Sequence, residues 1–281
     1  MRFRWLARLL WKRSNEPHRN AGFAEADMTY RYHMRGNSLI RNLTLVMSER
    51  EQDRIIETMQ TARKPMVVSF LNAHAFNLAW KETDFRRSLV ESDLLLRDGI
   101  GVSILLTLLG IQPGLNMNGT DLIPKVLERC RGSVALLGTR DPYLSMAAVK
   151  LREAGSNVAI TLDGFQPDSR YLDAVRASRP TIVILAMGMP KQERVALALK
   201  EAITWPCLII NGGAILDFMS GRVSRAPGLL QTLHLEWLFR LAREPRRLWR
   251  RYVLGNLVFL FRSLRIWRSL RPGRDTGRTF I

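Results

Sequence analysis

Residues 181–193, TIVILAMGMPKQE, constrain the fold of this chain more than any other segment. Six residues, five of them apolar, run into Met-Gly-Met-Pro and then into Lys191, Gln192 and Glu193. A short apolar run ended by glycine and proline predicts a strand buried on both faces, as in a parallel sheet. Pro190 suits the first turn of a helix, where its missing N–H is not needed. A strand that stops at a glycine and hands over to a helix N-terminus makes an anion-holding corner at the carboxyl end of a sheet. The same residues also fit an ordinary strand–loop–helix joint, so the rest of the chain must decide what the corner does.

Strand and helix patterns alternate on both sides of it. Strands are expected at 66–71, 94–96, 134–138, 157–161, 181–186 and 207–210. Helices are expected at 73–89, 101–109, 121–130, 142–154, 168–177 and 190–203. Residues 14–38 read as a polar linker, and the loose alternation of 39–47 predicts a strand or hairpin arm. Helices of this length between strands mean right-handed βαβ units and a parallel sheet. The expected fold is α/β: a Rossmann-like, mostly parallel sheet with flanking helices. Its strand-end loops converge on one crevice. Those loops carry Asn72, Asp98 with Gly99, Gly138, Gly188 with Lys191 and Gln192, and Gly212 with Gly213. Asn118 and Gly119 precede the helix that Asp121 opens.

Beyond about residue 225 the strand signals stop. The chain becomes helical, rich in arginine and tryptophan, and Pro245 should break it into at least two helices. Leu254, Leu257, Val258, Phe261 and Leu264 form one apolar stripe. The expected organisation is a basic arm and linker (1–38), an α/β core (39–225), a basic α-helical C-terminal appendage (226–270) and a tail (271–281).

Charge follows the same division. Net charge is +18, yet residues 1–20 carry +5 and residues 222–281 carry +11, leaving +2 for the 201 between. Basic ends on a near-neutral core suit a polyanion, either nucleic acid or an anionic membrane surface. The appendage arginines interleave with an apolar helix stripe and match no recognised nucleic-acid motif, so the membrane is favoured and no nucleic-acid partner is expected. No segment offers the ~20 apolar residues of a spanning helix; residues 252–261 are ten long and contain Gly255 and Asn256. Near the N-terminus, Arg4, Arg8 and Lys12 share one helical face and Phe3, Leu6 and Leu10 another, which predicts an interfacial helix. A disordered basic arm is the alternative. Trp5, Trp11, Trp249 and Trp267 suit the same interface.

Several chemistries are excluded. Cys130 and Cys207 have no Cys or His at ligand spacing, so neither a disulfide framework nor a zinc site is expected. GxGxxG and GxxxxGK[ST] are both absent. Asp98, in RDGIG between an apolar strand and an apolar helix, is the strongest candidate for a general base, with helix capping as its other reading. Asn72 can bond a base or sugar, or cap the next helix. His74 reads as a structural histidine.

Taken in order, LNAHAFN (71–77), RDGIGV (97–102), NGTDLIP (118–124), VALLG (134–138), MGMPKQE (187–193), NGGAILDFMSGRVSRAP (211–227) and LEWLFRLAREPRRLWRRY (235–252) resemble the WecG/TagA/CpsF glycosyltransferase family across roughly residues 40–262. The resemblance implies a bacterial enzyme, peripheral on the cytoplasmic face of the inner membrane. Such an enzyme moves a sugar from a UDP-sugar to an undecaprenyl-diphosphate-linked saccharide and inverts the anomeric centre. It implies Asp98 as base, with Asn72 and Gln192 near the donor. Arg240, Arg247, Arg250 and Arg251, together with Arg225 of the RAP element, would meet the lipid diphosphate. The pattern departs at Phe70, where the family often has Thr, and at Asn116, where it often has Arg. With no acidic cluster arranged for a cation, the transfer is expected to be metal-independent, without cofactor. A homo-oligomer is left open, as are the donor sugar and the polymer.

Overall fold

The computed structural model describes residues 38–130 and 132–269. The N-terminal arm and the tail therefore lie outside the described residues. The apolar runs become β1 (Leu43–Thr44), β2 (Met66–Leu71), β3 (Leu94–Arg97), β4 (Ser133–Gly138), β5 (Asn157–Leu162), β6 (Ile182–Ala186) and β7 (Leu208–Asn211). They join in one sheet ordered β1-β3-β2-β7-β6-β4-β5, and every neighbouring pair is parallel. Helices cover both faces, which is why the strands are continuously apolar. All five residues of β6 are buried: Ile182, Ile184 and Ala186 toward one face, Val183 and Leu185 toward the other.

On the first face pack α2 (Glu49–Gln60), α6 (Gly119–Arg129), α7 (Tyr143–Glu153) and α10 (Ile215–Ser220), following the short α1 (Ser38–Arg41) in the chain numbering. On the second pack α3 (Ala73–Lys81), α4 (Thr83–Val90), α5 (Ile100–Leu108), α8 (Asp168–Ser178) and α9 (Lys191–Ala202). The chain leaves β2 toward β3 on one side and leaves β4 toward β5 on the other. The loops thus diverge from the centre of the sheet and leave a crevice over the carboxyl ends of β2, β7 and β6.

The appendage contains α11 (Gly228–Thr232), α12 (Glu236–Arg243), α13 (Pro245–Trp249), a π turn (Arg250–Leu254) and α14 (Gly255–Ser269). Pro245 starts α13, as expected. The apolar stripe behaves otherwise: Leu254, Leu257, Val258 and Phe261 are exposed, while Phe259 and Ile266 bury in the core beside α3 and α5. Phe259 meets Phe76 edge to face at 5.2 Å. Asn77 of α3 secures the junction, donating to Gly255 O at 2.6 Å and accepting from Arg262 at 2.8 Å.

Three local expectations change. The helix expected over 73–89 is two helices, because Glu82 takes an extended conformation (φ −111°, ψ 109°). Residues 39–47 form a helical turn and a two-residue edge strand, since Leu39 and Ile40 are adjacent yet both buried, which an alternating strand does not allow. Helix α2 was not expected at all. Its signal is a capping pattern: Ser48 accepts from the Glu51 N–H at 3.3 Å, and Glu51 accepts from the Met47 N–H at 2.7 Å. Only Ile56 and Met59 of α2 are buried, so its hydrophobic pattern is weak.

Candidate active site

A cavity of about 900 Å³ opens over the carboxyl edge of the sheet. Asp98 stands in its wall. Its N–H donates to Leu71 O at 2.9 Å, holding the end of β3 beside the end of β2. Its Oδ2 accepts from Asn72 Nδ2 at 3.1 Å. Asn72 Oδ1 accepts from the Ala75 N–H at 3.0 Å, so Asn72 caps α3 and orients the carboxylate at once. Asp98 makes no capping bond; Gly99 occupies the cap position of α5. Burial raises the Asp98 pKa, opposed by the Asn72 hydrogen bond and then by Arg251, Arg240 and Arg97. The result is a carboxylate more basic than usual, fixed by one side chain, at the edge of a large cavity.

Arg97 and Asn116 build the turn beneath it. Buried Arg97 donates to Pro113 O and Gly114 O, each at 2.9 Å, and to Gly99 O at 3.2 Å. Asn116 Oδ1 accepts from the Gly99 N–H at 2.8 Å. At the departure from the family's Arg, this chain thus places a backbone prop. Asn118 caps α6 through the Asp121 N–H at 3.0 Å and donates to Asp121 Oδ2 at 2.7 Å. Asp121 in turn pairs with Arg225, which also lies 3.9 Å from Glu236. Asn118, Gly119 and Arg225 line the cavity, whereas Asp121 only holds Arg225.

Gly188, Gln192 and Gly212 line the cavity floor. Gln192 is buried, and its amide is spent on protein: Oε1 accepts from the Gly188 and Gly213 N–H groups, each at 3.2 Å, and Nε2 donates to Glu193 at 2.8 Å. Lys191 turns away, donating to Gly164 O at 3.0 Å, Gln166 O at 2.6 Å and Tyr171 at 3.2 Å. Gly138 is also outside the lining; a Cβ there would lie 2.3 Å from the Ala186 backbone, so its role is the close approach of β4 to β6.

The appendage closes one side. Arg240, Arg247 and Arg251 face the cavity, while exposed Arg250 stacks on Trp249 with its guanidinium 5.5 Å from the ring centre. The Nε–H groups of Arg240 and Arg251 are buried without a partner. Burial lowers the Arg251 pKa, and repulsion from Arg240 and Arg247 lowers it further, while Tyr252 and then Asp98 oppose the shift. Burial and Arg251 together push His74 down to about 4, so it lines the cavity as the neutral imidazole. Sequence reasoning passed over Glu236, whose pKa is raised chiefly by burial, and Asn211 at the end of β7. Asn211 stands at a strand's carboxyl end just before two glycines, which is the signal that singled out Asp98. Among the described residues no group of three or more His, Cys, Asp or Glu could hold a metal ion.

A parallel α/β sheet with a roomy crevice, desolvated carboxylates at Asp98 and Glu236 and arginines along one wall has the makings of a group-transfer enzyme. The chain belongs to the WecG/TagA/CpsF glycosyltransferase family, whose profile matches residues 39–273. It is 31% identical over 179 residues to the N-acetylglucosaminyldiphosphoundecaprenol N-acetyl-beta-D-mannosaminyltransferase of Bacillus spizizenii, a span covering 62% of this chain and 69% of that one. The chain is accordingly a glycosyltransferase, as the motif series implied.

Proposed function

We propose that the enzyme transfers a hexose-type sugar from a UDP-sugar to a saccharide on undecaprenyl diphosphate, with inversion, in bacterial surface polysaccharide synthesis. The observation that carries this reading is the presence in one cavity of Asp98 and of the buried Nε–H groups of Arg240 and Arg251, which have no hydrogen-bond partner. A saccharide hydroxyl is a weak nucleophile at neutral pH. Its oxygen attacks the anomeric carbon, its proton passes to Asp98, and the bond from that carbon to the phosphate oxygen breaks. UDP departs with the bonding electron pair, and fixed cations stabilise the developing charge. A single carboxylate acting as base gives one displacement, hence inversion. The similar Bacillus enzyme is named for an undecaprenyl-linked N-acetylglucosamine acceptor, which supports the same acceptor class here.

Arginine takes the charge-neutralising part in this scheme, so turnover after exhaustive EDTA treatment should stay within about twofold of the untreated rate. Restoration of a lost activity by Mg²⁺ or Mn²⁺ would contradict it.

The appendage also supports attachment to the membrane face. Leu257, at the cavity rim, is 61% exposed and Phe261 67%, and both belong to the exposed apolar side of α14. Arg246, Arg250, Arg265 and Arg268 are exposed on the appendage, and no helix among the described residues is long and apolar enough to cross a bilayer. Exposed apolar and basic side chains on one appendage suit an anionic surface, each cation near it contributing about 1 kcal/mol. The double substitution Leu257→Glu/Phe261→Glu should reduce co-flotation with phosphatidylglycerol vesicles at least about tenfold while leaving the melting temperature in place. Unchanged flotation would refute the attachment. Micromolar, salt-dependent binding to DNA or RNA in a gel shift would instead favour a nucleic-acid partner.

A further inference from the structure

Beneath the cavity floor lies a buried polar clip with no part in the proton transfer. Gly188 and Gly213 follow β6 and β7 with φ of 85° and 61°. A Cβ on either would meet nothing within 4 Å, so both present bare Cα atoms to the cavity. Their N–H groups converge on Gln192 Oε1, and Gln192 Nε2 is held by Glu193 Oε1. Glu193 is 1% exposed, and its second oxygen has no hydrogen-bond partner. Asn211 Oδ1 is likewise orphaned, since Asn211 Nδ2 is committed to Ser69 at 2.8 Å. Asn211 lies on the same side of β7 as Ile209, the face against which α9 packs Ala196 and Leu199. Two solvent-excluded acceptors, one at the end of β7 and one in the first turn of α9, thus lie on the same face of the sheet, and one of them can carry a proton.

We propose that Glu193 is a positioning residue acting as the neutral acid: its Oε2–H donates to Asn211 Oδ1, its Oε1 accepts from Gln192, and the fixed Gln192 amide holds the two glycine loops of the cavity floor in register. An ionised carboxylate here would be buried without a counter-charge, which is costly. The charged neighbours are engaged elsewhere or exposed. On α9, Lys191 is bonded to the 163–166 loop, Arg194 to Asp168 at 2.7 Å and Lys200 to Asp93 at 2.8 Å. On α4, Arg87 pairs with Glu91 at 2.6 Å, and Asp84 and Arg86 are exposed. On α8, Arg170, Asp173 and Arg176 are exposed, and β2, β6 and β7 bring no titratable side chain. Burial accordingly pushes Glu193 up to about 7. The proton is held below that pH and lost above it, so the clip should be closed under mildly acidic conditions and loosen as pH rises.

The link to catalysis rests on the donor-site reading above, but the clip does not, and the experiment separates them. Amide hydrogen exchange at Gly188 and Gly213 is compared between wild type and Glu193→Gln at about pH 6 and about pH 9, together with donor KM and kcat. A Gln supplies the same donor and acceptor at every pH. At the lower pH the two proteins should exchange alike; at the higher pH wild type should exchange about tenfold faster at these two amides, with a raised donor KM and a nearly unchanged kcat. Identical exchange at both pH values, or faster exchange in Glu193→Gln at the lower one, overturns the proposal. A pH-gated clip in a protein that transfers no sugar would support the clip and refute the donor site instead.

Discussion

Asp98→Asn should lower kcat by roughly 10²–10⁴-fold while leaving UDP binding nearly intact, as measured by turnover and by calorimetric titration with UDP. The substitution keeps the shape and the Asn72 contact but removes the only function assigned to Asp98, taking a proton. The pH dependence follows from the same environment. Burial raises the Asp98 pKa, so the ionised base is lost as pH falls through a value above the ordinary carboxylate range. The acid limb of kcat/KM should lie there in wild type and disappear in the Asn variant. Asn72→Ala should move that limb further up, because the Asn72 hydrogen bond is the largest influence opposing the shift. Near-normal turnover in Asp98→Asn would remove it from the mechanism.

The second large effect belongs to the appendage. Arg240→Gln/Arg251→Gln should reduce kcat/KM by about 10²–10⁴-fold, since each charge-assisted hydrogen bond to a phosphate oxygen is worth about 1.5–3 kcal/mol. Stability should move the other way or not at all. Arg240 and Arg247 repel Arg251, and two guanidinium Nε–H groups are buried unpaired. Removing them relieves that strain, so the variant should melt at or above the wild-type temperature while losing activity. Arg170→Gln, at an exposed position of α8, serves as a control. A loss of activity that tracks unfolding, or none, would count against an anion site at these residues. Deleting the appendage is a poorer test, because Phe259 and Ile266 belong to the core and their loss would uncover Phe76 and Leu105.

Much of this arrangement was legible in the chain because the strands are buried on both faces. Continuous apolar runs such as IVILA carry their own signal, and the loops that end them had to meet at one edge. Asp98, Asn72, Gly188 and Gly212 were found that way, and they do line one cavity. Side-chain direction was not legible. Lys191 and Gln192 are neighbours on one helical turn, yet Lys191 staples the β5–α8 loop while Gln192 faces the cavity floor. Arg250 and Arg251 diverge likewise, one to a tryptophan and one to the site, across a π turn that no periodicity announces. Periodicity also found an apolar stripe on α14 without revealing that its neighbour, through Phe259, is the one that docks. Helix α2 was missed because it buries only two side chains and its evidence lay in a cap.

Sugar transfer from a UDP-sugar to a lipid diphosphate saccharide, with Asp98 as base, stands or falls on a radiolabelled transfer assay. Wild type and Asp98→Asn would be offered a panel of UDP-N-acetylmannosamine, UDP-N-acetylmannosaminuronate, UDP-glucuronate and UDP-glucose with a short-chain polyprenyl-diphosphate N-acetylglucosamine acceptor. Label should enter the lipid product from at least one donor with wild type, with stoichiometric UDP release, and the product rate should be at least about 10²-fold lower with Asp98→Asn. Equal product from both proteins, or no transfer of label from any UDP-sugar in the panel, would contradict it.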